Sequence, residues 1–113
     1  MDSKELAKKI AEIMEDRKGK DVQIIDTSKS LIITDSFIIC NGTSTTQVRA
    51  IADEIMFKLK EEYGIECHHT EGYETASWIL IDYIDVVAHV FLQEDREFYN
   101  LERLYSDGIV ERK

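Results

Sequence analysis

The chain has 113 residues, of which 43% are hydrophobic and none is proline, a size typical of one compact domain. Its 23 acidic residues outweigh 14 lysines and arginines, giving a formal net charge of −9. This charge argues against non-specific binding to nucleic acid, which needs Lys and Arg to displace counterions, and favours a basic protein partner. No linker or repeat divides the chain, so we expect a single domain over residues 1–113.

The N-terminal stretch MDSKELAKKIAEIMEDRKGK is charged and amphipathic and lacks the apolar region of a signal peptide. The apolar runs are far shorter than the ~20 residues that cross a bilayer. We therefore expect a cytoplasmic protein that does not contact membranes. Cys40 and Cys67 are expected to be reduced thiols, as in most cytosolic proteins.

The first predicted element is a helix that Asp2 caps and that ends near Arg17–Gly19. Strands are predicted at Val22–Asp26 and at Phe37–Asn41, where β-branched and aromatic residues dominate. The helix should pack through an apolar stripe at helical spacing, formed by Leu6, Ile10, Ile13 and Met14.

A second helix is predicted to begin at the capping box Ser44-x-x-Gln47 and to end at Gly64. A short strand should follow at Ile65–Thr70. The apolar stripe of this helix comprises Val48, Ile51, Ile55, Met56, Leu59 and Tyr63.

The last third predicts two strands, Ser77–Tyr83 and Val86–Leu92, then a helix over Asp95–Tyr105 and a loose tail, GIVERK. The resulting order, α-β-β-α-β-β-β-α, indicates an α/β domain with a mixed sheet packed against helices.

A tight turn at Ile84-Asp85 would pair Tyr83 with Val86 and Trp78 with Phe91, so that alternate side chains share a face. One face is then almost wholly aliphatic and should meet the helices. The opposite face, called here the mixed face, combines large apolar groups with an acid and an imidazole. Its members are Trp78, Leu80, Asp82, Val87, His89 and Phe91.

The mixed face has two interpretations on spacing alone. An aromatic and aliphatic patch with a few fixed polar groups is typical of a protein-binding surface. Alternatively, another element covers the face, and Asp82 and His89 are satisfied internally. The sequence leaves both open, and a one-residue shift in register would exchange the faces.

Three groups of residues could suggest chemistry, and each has a simpler interpretation. Asp82, Asp85 and His89 do not converge as ligands of a hard cation would. Cys67-His68-His69 would alternate across a strand and has no partner pair to complete a zinc site. The stretch 42–44 precedes a helix but lacks the glycine pattern of a phosphate-binding loop, so a plain capped helix start is favoured.

Several stretches together resemble one known family. They are TDSFIICNGTST, Glu71-Gly72 followed by Trp78, and the ordered pattern W…DxxDVVxHVF…RxFYxLExL, which runs from Trp78 to Leu104. The pattern is similar to that of the Iojap family, the ribosomal silencing factors. The resemblance covers almost the full chain.

The resemblance implies a translation regulator that is not an enzyme and needs no cofactor or metal. Members of the family bind the fourteenth protein of the large ribosomal subunit, on the face that meets the small subunit, and block joining when nutrients are scarce. The implied fold resembles nucleotidyltransferases without their catalytic carboxylates. Little direct contact with nucleic acid is expected.

By motif position, the resemblance implies partner contacts for Trp78, Leu80, Asp82, Val87, His89, Arg96 and Tyr99. The family commonly has glycine where this chain has Ile84, and a β-branched residue resists positive φ, which bears on the turn and its register. An exposed hydrophobic face can also self-associate, so a homodimer of the free protein stays open.

Two rival functions remain at this stage. A metal-dependent enzyme of the nucleotidyltransferase type would use Asp82 and Asp85 and would bind nucleotide with magnesium. An adaptor with a non-ribosomal partner would use the mixed face but ignore isolated ribosomal subunits.

Overall fold

The computed structural model describes residues 1–28, 34–99 and 109–112, with residues 97–99 and 109–112 described by their backbone. Three helices and six strands lie within these residues. In chain order they are α1 (Ser3–Asp16), β1 (Lys20–Asp26), β2 (Ser36–Gly42), α2 (Thr45–Tyr63), β3 (His69–Glu71), β4 (Trp78–Asp82), β5 (Val86–Leu92), α3 (Gln93–Tyr99) and β6 (Ile109–Arg112).

The six strands form one mixed sheet in the order β3-β4-β5-β2-β1-β6. β2 and β5 pair in parallel, whereas the other neighbouring strands are antiparallel. Helices α1 and α2 bury their apolar stripes against one face of this sheet. The predicted α/β class is confirmed. None of the described helices is long and apolar enough to cross a membrane.

Both long helices start as the capping residues predict. The Asp2 carboxylate accepts a 2.8 Å hydrogen bond from the Glu5 backbone N–H, and the Ser44 hydroxyl accepts one of 3.1 Å from the Gln47 N–H. Each bond satisfies a donor that the first turn leaves without a helical partner. At the other end of α2, Gly64 adopts a left-handed φ of 66°, which ends the helix.

Three local predictions need correction. Tyr63 does not join the core, because its side chain is exposed at the end of α2. The strand expected at Ile65–Thr70 is shorter and begins later, as β3. The tail expected to be loose instead supplies β6, which pairs antiparallel with β1. The second half of the helix expected over Asp95–Tyr105 lies outside the described residues.

The β4–β5 hairpin has the predicted register, from Trp78 opposite Phe91 to Asp82 opposite Val87. Ile84 occupies the turn with a φ of 73°, a left-handed conformation that is unfavourable for a β-branched residue. The Asp82 carboxylate compensates in part by accepting a 2.7 Å hydrogen bond from the Ile84 N–H. The turn is therefore tight but strained.

Replacing Ile84 with glycine should stabilise the protein. The left-handed conformation costs a β-branched residue roughly 1–2 kcal/mol, while glycine loses only ~0.5–1 kcal/mol of additional chain entropy. Since Ile84 is 58% exposed, little buried area is lost. We expect Ile84→Gly to raise the free energy of unfolding by about 1 kcal/mol, seen as a higher urea midpoint with an unchanged slope. Ile84→Val should leave the midpoint unchanged, and a lower midpoint for the glycine variant would show that the turn is not strained.

Candidate protein-binding patch on the sheet

The mixed face predicted for the hairpin continues across the sheet, but most of it is buried. β1, β2 and β5 contribute a second hydrophobic cluster to it, and Trp78 and Leu80 pack against the edge of this cluster. Helix α3 lies against β2 and β5. The interpretation of this face as an open surface therefore fails over β5. The buried members of the cluster are Ile25, Phe37, Ile39, Val87 and Phe91.

Burial separates the seven residues for which the resemblance implied contact. Trp78, Leu80 and Asp82 on β4 are half-buried, with part of each side chain accessible. Val87 and His89 on β5 are only 6% and 3% exposed, so in this conformation neither side chain can reach a partner. Any contribution of Val87 and His89 to partner binding must therefore act through the more accessible side chains that pack on them.

Arg96 is also inside the fold, with 6% exposure. Its guanidinium donates hydrogen bonds of 2.8 Å to the Asp21 carbonyl and 2.9 Å to the Asn41 side-chain oxygen. The Asp21 carboxylate lies 3.7 Å away. Arg96 therefore ties α3 to the start of β1 and the end of β2 rather than facing a partner. The side chain of Tyr99, the seventh residue, lies outside the described residues.

The accessible part of the mixed face lies on β4 and on the edge strand β3. His69 is opposite Asp82 and Glu71 is opposite Leu80, so these side chains share one face. His69 Nε2 lies 3.4 Å from a Glu71 carboxylate oxygen, and both side chains are exposed. Together with Trp78, these residues define the β3–β4 patch. Sequence alternation identified the β4 members, but His69 and Glu71 were missed because β3 was placed too early in the chain.

The Trp78 indole is held in place by buried aromatic side chains of β5. Its Nε1–H donates a 2.9 Å hydrogen bond to His89 Nδ1. The indole also stacks on Phe91, with 5.1 Å between ring centroids and 26° between planes. The His89 ring meets Phe37 edge-on at 4.9 Å. Because the supporting rings are buried, the indole is held in one orientation while part of it faces solvent.

The hydrogen bond to Trp78 also defines the protonation of His89. Nδ1 accepts the hydrogen bond from the indole N–H and is therefore unprotonated, so the neutral ring carries its own hydrogen on Nε2. Burial lowers the pKa of His89 to about 3, because the charged imidazolium would lose its hydration. Nε2 finds no hydrogen-bond partner within the described residues. His89 is therefore a neutral acceptor at the base of the patch, not an acid or base.

Asp82 serves the hairpin turn through its bond to Ile84, and Asp85 is exposed at the tip. Within residues 1–28, 34–99 and 109–112, no group of three or more His, Cys, Asp or Glu side chains is arranged to hold a metal ion. The geometry of the described residues thus offers a surface for contact.

Comparison with known proteins decides the family. The family model described as "Ribosomal silencing factor during starvation" matches residues 1–113. The chain belongs to this family. It is 43% identical over 108 residues to the ribosomal silencing factor of Halalkalibacterium halodurans, covering 96% of this chain and 92% of that protein. The family resemblance seen in the sequence is confirmed.

Further relatives support both the fold and the Iojap connection. An X-ray structure of a Chromobacterium violaceum protein, 40% identical, superposes with a TM-score of 0.89 over 94% of this chain and 88% of that one. The chloroplastic Iojap protein of Arabidopsis thaliana is 31% identical over 103 residues, which are 91% of this chain and 42% of the plant protein. The bacterial relatives are named ribosomal silencing factors, which is the name of a regulatory protein.

The buried state of His89 predicts a pH dependence. Its folded pKa of about 3 lies below the unfolded value near 6.5, so between these values the unfolded chain binds more protons. Stability should therefore fall as the pH drops through this window, by at most ~1.4 kcal/mol per pH unit from this group.

The measurement compares urea unfolding at pH 7 and pH 5. His89→Asn keeps an acceptor near Trp78 but cannot titrate, so its free energy of unfolding should fall less between the two pH values. The absolute stability of this variant should be lower, because the ring contacts are lost. His68→Asn, at an exposed position, is the control and should keep the wild-type difference. Equal pH dependence in wild type and His89→Asn would contradict a neutral, buried His89.

Proposed function

We propose that this protein binds the large ribosomal subunit through its fourteenth protein, using the β3–β4 patch, and thereby blocks joining of the small subunit. Membership of the ribosomal silencing factor family supports a role at the ribosome. The partner and the steric mechanism are what the family resemblance implies. The site of action would be the cytoplasm.

The single observation that carries the proposal is the arrangement of Trp78. A partly exposed tryptophan costs little entropy to bind when its orientation is already fixed, and tryptophan is enriched among residues that dominate binding energy. Here His89 and Phe91 fix the indole from the buried side. Leu80 extends the apolar centre of the patch, and polar residues surround it, as in protein interfaces.

Charge supports a basic protein partner. Glu71, Asp82 and Asp85 lie at or beside the patch, within a chain whose net charge is −9. Acidic side chains at the rim would steer a basic ribosomal protein toward the patch and would repel the phosphates of rRNA. Binding should accordingly weaken as the salt concentration rises.

Trp78→Glu should abolish co-sedimentation with purified large subunits while the protein stays folded. The change removes the aromatic anchor, whose loss is worth ~2 kcal/mol or more at a hot spot and corresponds to a roughly 30-fold weaker affinity. Leu80→Glu, at a half-buried position on the same patch, should act in the same direction. Circular dichroism and urea unfolding establish that each variant is folded.

The matched control is Phe57→Glu, which makes the same kind of change at an aromatic residue that is 61% exposed on α2. It should bind large subunits as the wild type does. Folded Trp78→Glu protein that binds normally would remove the β3–β4 patch as the docking site. Co-sedimentation without any loss of subunit joining would leave the binding intact but overturn the steric block.

An adaptor with a non-ribosomal partner would use the same patch, since an anchored tryptophan does not specify its partner. It is distinguished by failure of the wild type to bind isolated large subunits. A homodimer of the free protein stays a prediction, and sedimentation of the protein alone, with and without Trp78→Glu, would test whether the patch mediates it.

A further inference from the structure

The segment that leads into Trp78 is folded back onto helix α2. After β3, residues 72–77 form a loop that reverses the chain and delivers it to β4. Arg49 on α2 donates a 3.0 Å hydrogen bond from Nε to the Tyr73 carbonyl, and its Nη2 donates to the Glu74 carbonyl. One guanidinium therefore binds two successive carbonyls of the loop, a geometry that suits its planar array of donors.

Asp53 adds a second connection one helical turn along α2. Its carboxylate accepts a 3.0 Å hydrogen bond from the Tyr73 hydroxyl. The Tyr73 ring also lies under the Arg49 guanidinium, 5.9 Å from its centroid. Residues four apart on a helix project from the same side, so Arg49 and Asp53 form one fixed clamp on the loop.

The backbone of the 72–77 loop couples the position of the loop on α2 to the position of Trp78. Gly72 has a φ of 82°, and a Cβ there would lie 2.0 Å from the Trp78 carbonyl oxygen. The Gly72 carbonyl accepts a 2.8 Å hydrogen bond from the Ala76 N–H, and Ala76 is itself buried with a φ of 57°. Because the two ends of the loop touch, movement of the loop away from α2 would displace the backbone of Trp78.

We propose that Arg49 and Asp53 are positioning residues for docking: they hold the 72–77 loop on α2 and so set the orientation in which Trp78 meets its basic protein partner. This inference rests on the proposed function of the β3–β4 patch. Neither residue belongs to the patch, since both act from the helix on the opposite face of the sheet.

The test measures two quantities for each variant, the affinity for purified large ribosomal subunits and the acrylamide quenching of tryptophan fluorescence. Trp78 is the only tryptophan of the chain, so quenching reports on this side chain alone. Arg49→Met should bind about tenfold more weakly, since it loses the donors to both carbonyls, and its tryptophan should be quenched more strongly. Arg49→Lys, which keeps one cationic donor, should recover part of both effects.

Arg17→Met is the control. Arg17 also makes a contact with α2, at 2.7 Å from the Glu54 carboxylate, but it does not touch the loop. It should keep wild-type affinity and quenching. Folded Arg49→Met with wild-type affinity and quenching would overturn the inference. If Arg49→Met does not fold, Tyr73→Phe removes only the hydroxyl bond to Asp53, and unchanged affinity and quenching in this variant would be equally decisive.

Failure of the proposed function gives a different result. If the wild type does not bind large subunits, the docking role of the patch is wrong whatever the variants do. Quenching of the free proteins then still decides whether Arg49 positions Trp78: stronger quenching in Arg49→Met supports the clamp, and unchanged quenching overturns it.

Discussion

The parallel pairing of β2 with β5 is the constraint on which the rest of the structure depends. It runs over seven residue pairs, from Ser36 beside Val86 to Gly42 beside Leu92, and both strands are buried on both faces. A parallel pair needs a long crossover, and α2 together with the β3–β4 segment supplies it. Alternation along these strands then points the Ile38 side chain toward helices α1 and α2 and the His89 side chain into the mixed face. The same assignment places the β3–β4 patch on the face of the sheet opposite helices α1 and α2.

The mixed face must accommodate a polar group where the surroundings exclude water. An indole N–H at the boundary of a hydrophobic cluster needs an acceptor, and His89 provides one at the cost of staying neutral. Phe37 and Phe91 surround the imidazole and add to its desolvation. The same burial that removes His89 from direct contact therefore makes it an effective support for Trp78. A contact residue implied by position in a motif can thus act one layer beneath the surface.

The sequence predicted what depends on neighbouring residues and missed what depends on distant ones. Alternation and a two-residue turn were enough for the register of the hairpin, and the caps at Asp2 and Ser44 were readable from four residues each. Arg96 binds Asp21, which is 75 positions away, and no local pattern reveals such a contact. The pairing of β6 with β1 is non-local in the same way. Alternation also tells which side chains share a face but not whether another helix covers it, so the burial of Val87 and His89 could not be predicted.

Strand β4 carries Trp78, Leu80 and Asp82 of the β3–β4 patch. The backbone that flanks this strand is unusual on both sides. Left-handed conformations occur at Gly72 and Ala76 before it and at Ile84 after it. For residues other than glycine, such as Ala76 and Ile84, these conformations persist only where surrounding contacts enforce them, and they concentrate at functional sites. Before β4, the Ala76 N–H donates to the Gly72 carbonyl, and the Arg49 guanidinium binds carbonyls of the residues between them; after β4, the Asp82 carboxylate accepts from the Ile84 N–H. Because β4 is only five residues long, fixing both ends leaves Trp78 and Leu80 little freedom, and a rigid patch can bind a partner without first being ordered.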